Sequence, residues 1–281
     1  MNAFTCIFAA LKSFLLSGAI VASFFHSTGY TQPNNLCTMK AISRLPMLAL
    51  MLPLIVFTSC ESDNWYMIRG SGPVMSESRI VPVHRNLNVS VPAEVHIYQS
   101  LVRDLTIEAQ ANVLDAIDTY VDGNELNIKL ADGMSLGTHE PIVIYISSAM
   151  YNTIRLSGSV DLIAETPIVT DVFDVTVSGS GSVDAEVDAN TVVASISGSA
   201  RMWLQGNTLT QQYTVSGSGY IYSYDLYTET SDISISGSGR IEVNVAEYLK
   251  ARISGSGDIY YAGYPTVNSQ ISGSGRLFHV E

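Results

Sequence analysis

Val215-Ser216-Gly217-Ser218-Gly219-Tyr220-Ile221 reads as a strand end, a corner and a strand start. Val215 and Ile221 are aliphatic, and the small residues between them suit a tight change of direction. The Ser-Gly-Ser core recurs from Ser157, Ser178, Ser197, Ser216, Ser236, Ser254 and Ser272, at intervals of 21, 19, 19, 20, 18 and 18 residues. A fixed tripeptide at so even a step marks a solenoid in which each repeat is one coil.

The period within each coil decides between helix and strand. Leu156, Val177, Ile196, Val215, Ile235, Ile253 and Ile271 stand just before the motifs. One residue earlier stand Arg155, Thr176, Ser195, Thr214, Ser234, Arg252 and Gln270. Beyond the corner, Leu162, Val183, Met202, Ile221, Ile241, Ile259 and Leu277 follow mostly polar neighbours. Alternation of this kind is strand periodicity, with aliphatics pointing inward. The rest of each coil contains Asn, Asp, Pro or Gly and reads as a looser return. One such coil cannot bury its apolar edge alone. Coils stacked roughly 4.8 Å apart bury a continuous column and pair their main chains, so seven span about 30 Å. Glycine fills the second motif position in every coil and the fourth in five, the departures being Val160 and Ala200. That pattern suits a corner needing positive φ or close backbone approach. Serine above serine predicts a ladder of hydroxyl hydrogen bonds along it. Residues 152–281 are therefore expected to form an all-β parallel β-helix.

Residues 79–151 also read as β, with Val89 and Val91 alternating with polar neighbours and Pro141 to Ile146 resembling a buried strand. Asp122-Gly123 and Asp132-Gly133 mark turns, and Asn112 to Tyr120 fits a helical turn or a return loop. Because a solenoid end exposes unpaired edges, this segment is expected to cap the first coil.

The leader has a different character. Lys40 and Arg44 precede an apolar run from Leu45 to Phe57 that closes on Thr58-Ser59-Cys60. A basic start, a run of about 13 apolar residues and small residues before the cut form an export signal, too short for a comfortable membrane span. It resembles a bacterial lipoprotein signal, which implies lipidation of Cys60 after cleavage of residues 1–59. Phe57 departs from the leucine usual in that signal. A second apolar stretch, Phe14 to Phe25, makes residues 1–38 redundant for export, so translation is expected to start at Met39, with residues 39–59 as the signal peptide; the alternative is an N-terminal transmembrane helix within residues 1–38. Residues 60–78 read as a polar tether, and Glu61-Ser62-Asp63-Asn64 resembles the surface-export signals of Bacteroidota lipoproteins.

Of the 14 Lys and Arg, three precede Glu61, so the chain from Cys60 onward sets 11 against all 26 acidic residues. A body this acidic repels phosphate backbones and anionic headgroups, which argues against nucleic acid and leaves the lipid anchor as its membrane contact. Cys6, Cys37 and Cys60 all precede the repeats, so neither disulfides nor thiolate metal sites support the coils.

The repeated aliphatic-Ser-Gly-Ser-Gly pattern, the run Ile259-Tyr260-Tyr261-Ala262-Gly263-Tyr264-Pro265 before Ile271-Ser272-Gly273-Ser274-Gly275, and the leader together resemble a family. It is the putative auto-transporter adhesin head domain of Bacteroidota lipoproteins, and the resemblance covers roughly Ile80 to Phe278. It implies a right-handed parallel β-helix on an exported, lipid-anchored protein at the outer membrane. It brings no catalytic residues or cofactors.

Two patterns deserve a chemical reading. Asp184, Glu186 and Asp188 alternate on one strand face and form a candidate calcium site, against the plainer reading of a solvated acidic face. Trp203, Tyr222, Tyr260 and Phe278 occupy equivalent positions in successive coils, interrupted by Glu242. Such a stripe either stacks against sugar rings or a protein partner, or packs on itself as a structural ladder. The histidines lack ligand spacing, and the serine motifs lack both a partner base and the Gly-x-Ser-x-Gly arrangement. The sequence thus points to a non-catalytic, adhesin-like binding scaffold for glycan or protein. The alternatives are a carbohydrate-active enzyme of the pectin-lyase-like kind and a purely structural envelope component.

Overall fold

A computed structural model describes residues 66–281; the leader 1–59, the lipidation assigned to Cys60 and the first tether residues lie outside the described residues. The chain builds a parallel β-solenoid of about seven turns. The motif serines stack in one column, Ser157 against Ser178, then Ser197, Ser216, Ser236, Ser254 and Ser272.

From Ser182 to Gly255 a single strand spans most of each coil: Ser182–Gly198, Arg201–Gly217, Tyr220–Gly237 and Arg240–Gly255. The expected loose return is extended strand in these coils. Stacking pairs main-chain groups whatever the side chains are, so polar pairs such as Asp188 with Asn207 and Thr191 with Thr210 join the ladder while facing outward.

The inward columns are those the alternation predicts. Leu156, Val177, Ile196, Val215, Ile235 and Ile253 are buried, as are Leu162, Val183, Met202, Ile221, Ile241 and Ile259. Each such side chain contributes roughly 1.5–3 kcal/mol of burial, spread along the axis. Size is matched between neighbouring coils. Val175, Ala194, Tyr213, Ile233 and Ala251 form one buried column, where the bulk of Tyr213 sits beside Ala194. In the last coil the inward residue Ile271 is 43% exposed, because Thr266–Gly273 is paired on one side only.

The corner is held by the main chain rather than by hydroxyls. Ser218 N–H donates to the Gly198 carbonyl at 2.9 Å, and Ser238 N–H donates to that of Gly217 at 2.8 Å. Among the described residues no hydrogen bond joins the motif hydroxyls, whose side chains are exposed. This corrects the expected serine ladder: the serines are carried outward by the corner, and the glycines close it. Gly217 has φ +116°, and a Cβ there would stand 2.6 Å from the Gly198 carbonyl oxygen. Gly219, at the fourth position, is excluded from bearing a side chain by Ile196 below it, 2.5 Å from an added Cβ.

The parallel stack extends further toward the N-terminus than the motif does, and in a different order from the chain. Asn86–Val89 lies between Glu125–Leu130 and Thr153–Gly158, and Ala93–Gln99 lies between Val143–Ser148 and Val160–Ala164. Antiparallel strands then close this end. Asp104–Gln110 pairs with Val143–Ser148, Val74–Ser78 covers Asp104–Gln110, and Ile117–Asp122 forms a hairpin with Glu125–Leu130. The helical hint resolves to one turn, Ala111–Leu114. Tyr66–Ile68 and Val74–Ser78, read as tether, are strands. All five residues of the second are exposed, so it carries no apolar alternation to reveal it.

Candidate functional site

One outward column runs the length of the solenoid: Tyr145, His96, Ile163, Asp184, Trp203, Tyr222, Glu242, Tyr260 and Phe278 are in register. The aromatic stripe belongs to it and falls into two parts. Trp203 and Tyr222 stack with centroids 5.6 Å apart and planes inclined by 17°. Tyr260 and Phe278 stack at 4.8 Å and 19°. Glu242 separates the pairs, and its side chain is only 10% exposed. Its carboxylate accepts the Arg240 guanidinium at 2.6 Å, while that guanidinium lies 4.1 Å from the Tyr260 ring centroid. Tyr260 is therefore covered by Arg240 and Phe278, as the structural-ladder reading expects.

The other half is open. Trp203 is 42% exposed, and the column position below it is the non-aromatic Asp184. Above Trp203 the coil carries a β-bulge. Trp203 pairs with Tyr222 and Gly206 with Leu226, so two residues on one strand face three on the other. On the far side Ser223 pairs with Val243 and Tyr227 with Asn244, leaving Tyr224, Asp225 and Leu226 without counterparts. Leu226 is buried and anchors the bulge. Asn244 Nδ2 donates to the Tyr224 carbonyl at 3.3 Å, and Ser223 Oγ donates to that of Glu242 at 2.7 Å, replacing ladder bonds that the bulge removes.

The bulge turns the aromatic wall into a cleft of about 570 Å³. Trp203, Tyr222 and Tyr224 line it, together with Asp184, Asp225, Glu242 and Gln205. Burial, aided by the charge of Glu242 and the Tyr260 phenol against opposition from Arg240, pushes the Tyr224 hydroxyl up to about 12. It is thus a neutral donor and acceptor at physiological pH. Trp203, Tyr222 and Asp184 are legible in the sequence, whereas Asp225 and the role of Tyr224 are not. The available signal was length: the interval from Ser216 is 20 residues, against 19 before it and 18 after.

Asp184, Glu186 and Asp188 all face outward, but they do not converge. Alternate residues on a strand stand roughly 6.5 Å apart with parallel side chains. Among the described residues no group of three or more His, Cys, Asp or Glu is placed to hold a metal ion. Asp184 belongs to the aromatic cleft, whereas Asp188 lines a smaller hollow of about 180 Å³ with Asn207, Tyr227 and Glu229.

Further along the same column, His96 stacks on Tyr145 at 5.1 Å and bridges two carboxylates. Its Nδ1 lies 2.6 Å from Glu165 Oε1 and its Nε2 lies 2.8 Å from Glu94 Oε1. Burial opposes the imidazolium, but the hydrogen bonds and charges of Glu165 and Glu94 outweigh it and raise the His96 pKa above 6.5.

Fold and cleft together define a parallel β-solenoid that presents a concave aromatic surface on its side wall. The chain belongs to the family described as putative auto-transporter adhesin, head GIN domain, whose model matches residues 84–265. No curated protein matches it. Among solved structures it is similar to a putative adhesin from Bacteroides fragilis, at 24% identity and TM-score 0.73 over 76% of this chain and 100% of that one. A putative lipid binding protein from Parabacteroides distasonis matches at 22% identity and TM-score 0.66, over 77% of this chain and 100% of that one. A putative adhesin from the same species matches at 20% identity and TM-score 0.62, over 76% and 100%. At these identities the likeness is one of fold. Among the described residues no helix is long and apolar enough to cross a membrane.

Proposed function

We propose that this protein is an exported, lipid-anchored, adhesin-like scaffold that binds glycan without chemistry. The observation that carries this reading is the cleft at Trp203 and Tyr222. It combines an exposed indole with the Tyr224 hydroxyl, the Gln205 amide and carboxylates at its rim. Aromatic surface gains from contact with the apolar faces of sugar rings, and the polar groups match ring hydroxyls. The family description and the names of two of the three structural relatives agree with an adhesin-like role. A rigid solenoid keeps such a cleft preorganised, so little ordering entropy opposes binding.

The test is retention on glycan and host-protein arrays, comparing the purified protein with Trp203→Ala. The reading expects a defined glycan set that the variant loses. Retention of proteins alone, or of nothing, would overturn it. Turnover of an acidic polysaccharide with calcium, abolished by Asp184→Ala or Glu186→Ala, would replace binding by catalysis.

A further inference from the structure

The aromatic cleft carries an unbalanced charge. Asp184, Asp225 and Glu242 line it, and no Lys or Arg does. Glu242 is already matched by Arg240, whose guanidinium is also occupied by the Tyr260 ring. Among the described residues neither Asp184 nor Asp225 makes an ion pair. Tyr224 and Gln205 add hydrogen-bonding capacity and no charge. Two uncompensated carboxylates thus share a concave space with an exposed indole.

The ring geometry adds to this. In a stack along the solenoid axis each ring covers its neighbour, and Tyr222 covers one side of Trp203. The next position on the other side is Asp184, so the uncovered side of the indole looks toward a carboxylate. An aromatic face attracts cations through its quadrupole, and a carboxylate attracts them through its charge. A neutral sugar uses the hydrogen bonds of this cleft but not its field. An anionic sugar meets repulsion from both carboxylates.

We infer that the cleft selects an amine-bearing, positively charged sugar over its neutral and acidic counterparts. This assignment rests on the glycan-binding reading above and narrows it to a ligand class. The ammonium group sits beside Asp184 at the uncovered side of the indole, with Asp225 adding negative charge elsewhere in the same cleft, and the sugar ring lies against Trp203. Because the cleft is open to solvent, the preference for charge weakens as salt rises.

Calorimetric titration of the purified full-length protein with a chitosan tetrasaccharide and with its fully N-acetylated form tests this. The work is done at about pH 5.5, above the ordinary carboxylate range, where the sugar amines are protonated. The expected result is binding of the amine form about tenfold tighter, an advantage that shrinks with added salt. Asp184→Asn and Asp225→Asn should each cut that advantage roughly three- to tenfold by weakening the amine form more than the acetylated form. Trp203→Ala should weaken both forms, with circular dichroism confirming that every variant is folded. Equal binding of both forms that still depends on Trp203 overturns the charge assignment and leaves glycan binding standing. Failure of both forms to bind overturns the amine-sugar assignment, and binding indifferent to Trp203 overturns the two together.

Discussion

At the scale of single residues, the corner glycines and the motif serines look equally regular in sequence but carry different structural weight. Gly217 combines φ +116° with a clash of any added Cβ against the Gly198 carbonyl oxygen. Gly217→Ala should therefore destabilise the fold by at least about 2 kcal/mol. Ser216→Ala, which removes an exposed hydroxyl, should change stability by no more than about 0.5 kcal/mol. Urea denaturation measures both, and comparable losses for the two variants would restore the hydroxyl ladder as the stabilising device. His96 gives a second residue-scale expectation. Its folded-state pKa is raised above 6.5, so its contribution is complete below about pH 6.5 and is lost as the pH rises through the folded value. Relative to the parent, His96→Gln should lower the melting temperature more at about pH 5.5 than at about pH 9. An equal deficit at both values would show that the imidazole acts by packing on Tyr145 alone. These roles were only partly legible in sequence. Glycine at a fixed position announces a corner, but the partners of His96 come from its own strand and from Glu165, a pairing that only the stacking register creates.

At the scale of elements, the strands before and after each Ser-Gly-Ser were readable because the same inward positions repeat in seven coils. The bulge was not. One extra residue in the coil starting at Ser216 alters the interval without saying where the chain absorbs it or which way it swells. The register places it at Tyr224 to Leu226 and thereby makes the cleft. Deleting Asp225 should bring this coil to the 19-residue interval of its predecessor and flatten the wall. The expected outcome is an unchanged β signature in circular dichroism and a glycan affinity at least about tenfold weaker. Full affinity in the deletion variant would mean that the bulge has no part in binding. Tyr260 and Phe278 mark the other limit of sequence reasoning. Their spacing placed them correctly in the stripe, but spacing alone does not show that Arg240 covers Tyr260. The N-terminal segment was legible as β. Its strand order was not, since alternation identifies a buried face without identifying the neighbouring strand.

At the scale of the whole molecule, the solenoid distributes its stability along an axis and differs at its two ends. Val74–Ser78 and Thr266–Gly273 are edge strands whose residues are all exposed, while the coils from Ser182 to Gly255 are paired on both sides. Hydrogen exchange should be slowest in those central coils and fastest at the two edges. Uniform protection would mean that the edges are covered. Trp203, Tyr222 and the bulge lie within the slow region, which keeps the cleft rigid enough to act as a preformed site. The direct test of that claim is a titration of an array-identified glycan into the parent protein and Trp203→Ala, with the ligand recovered afterwards and its length determined. The account predicts saturable binding by the parent, a loss of at least about tenfold in the variant, and a recovered ligand of unchanged length. Binding that ignores Trp203, or recovery of shortened products, would contradict it.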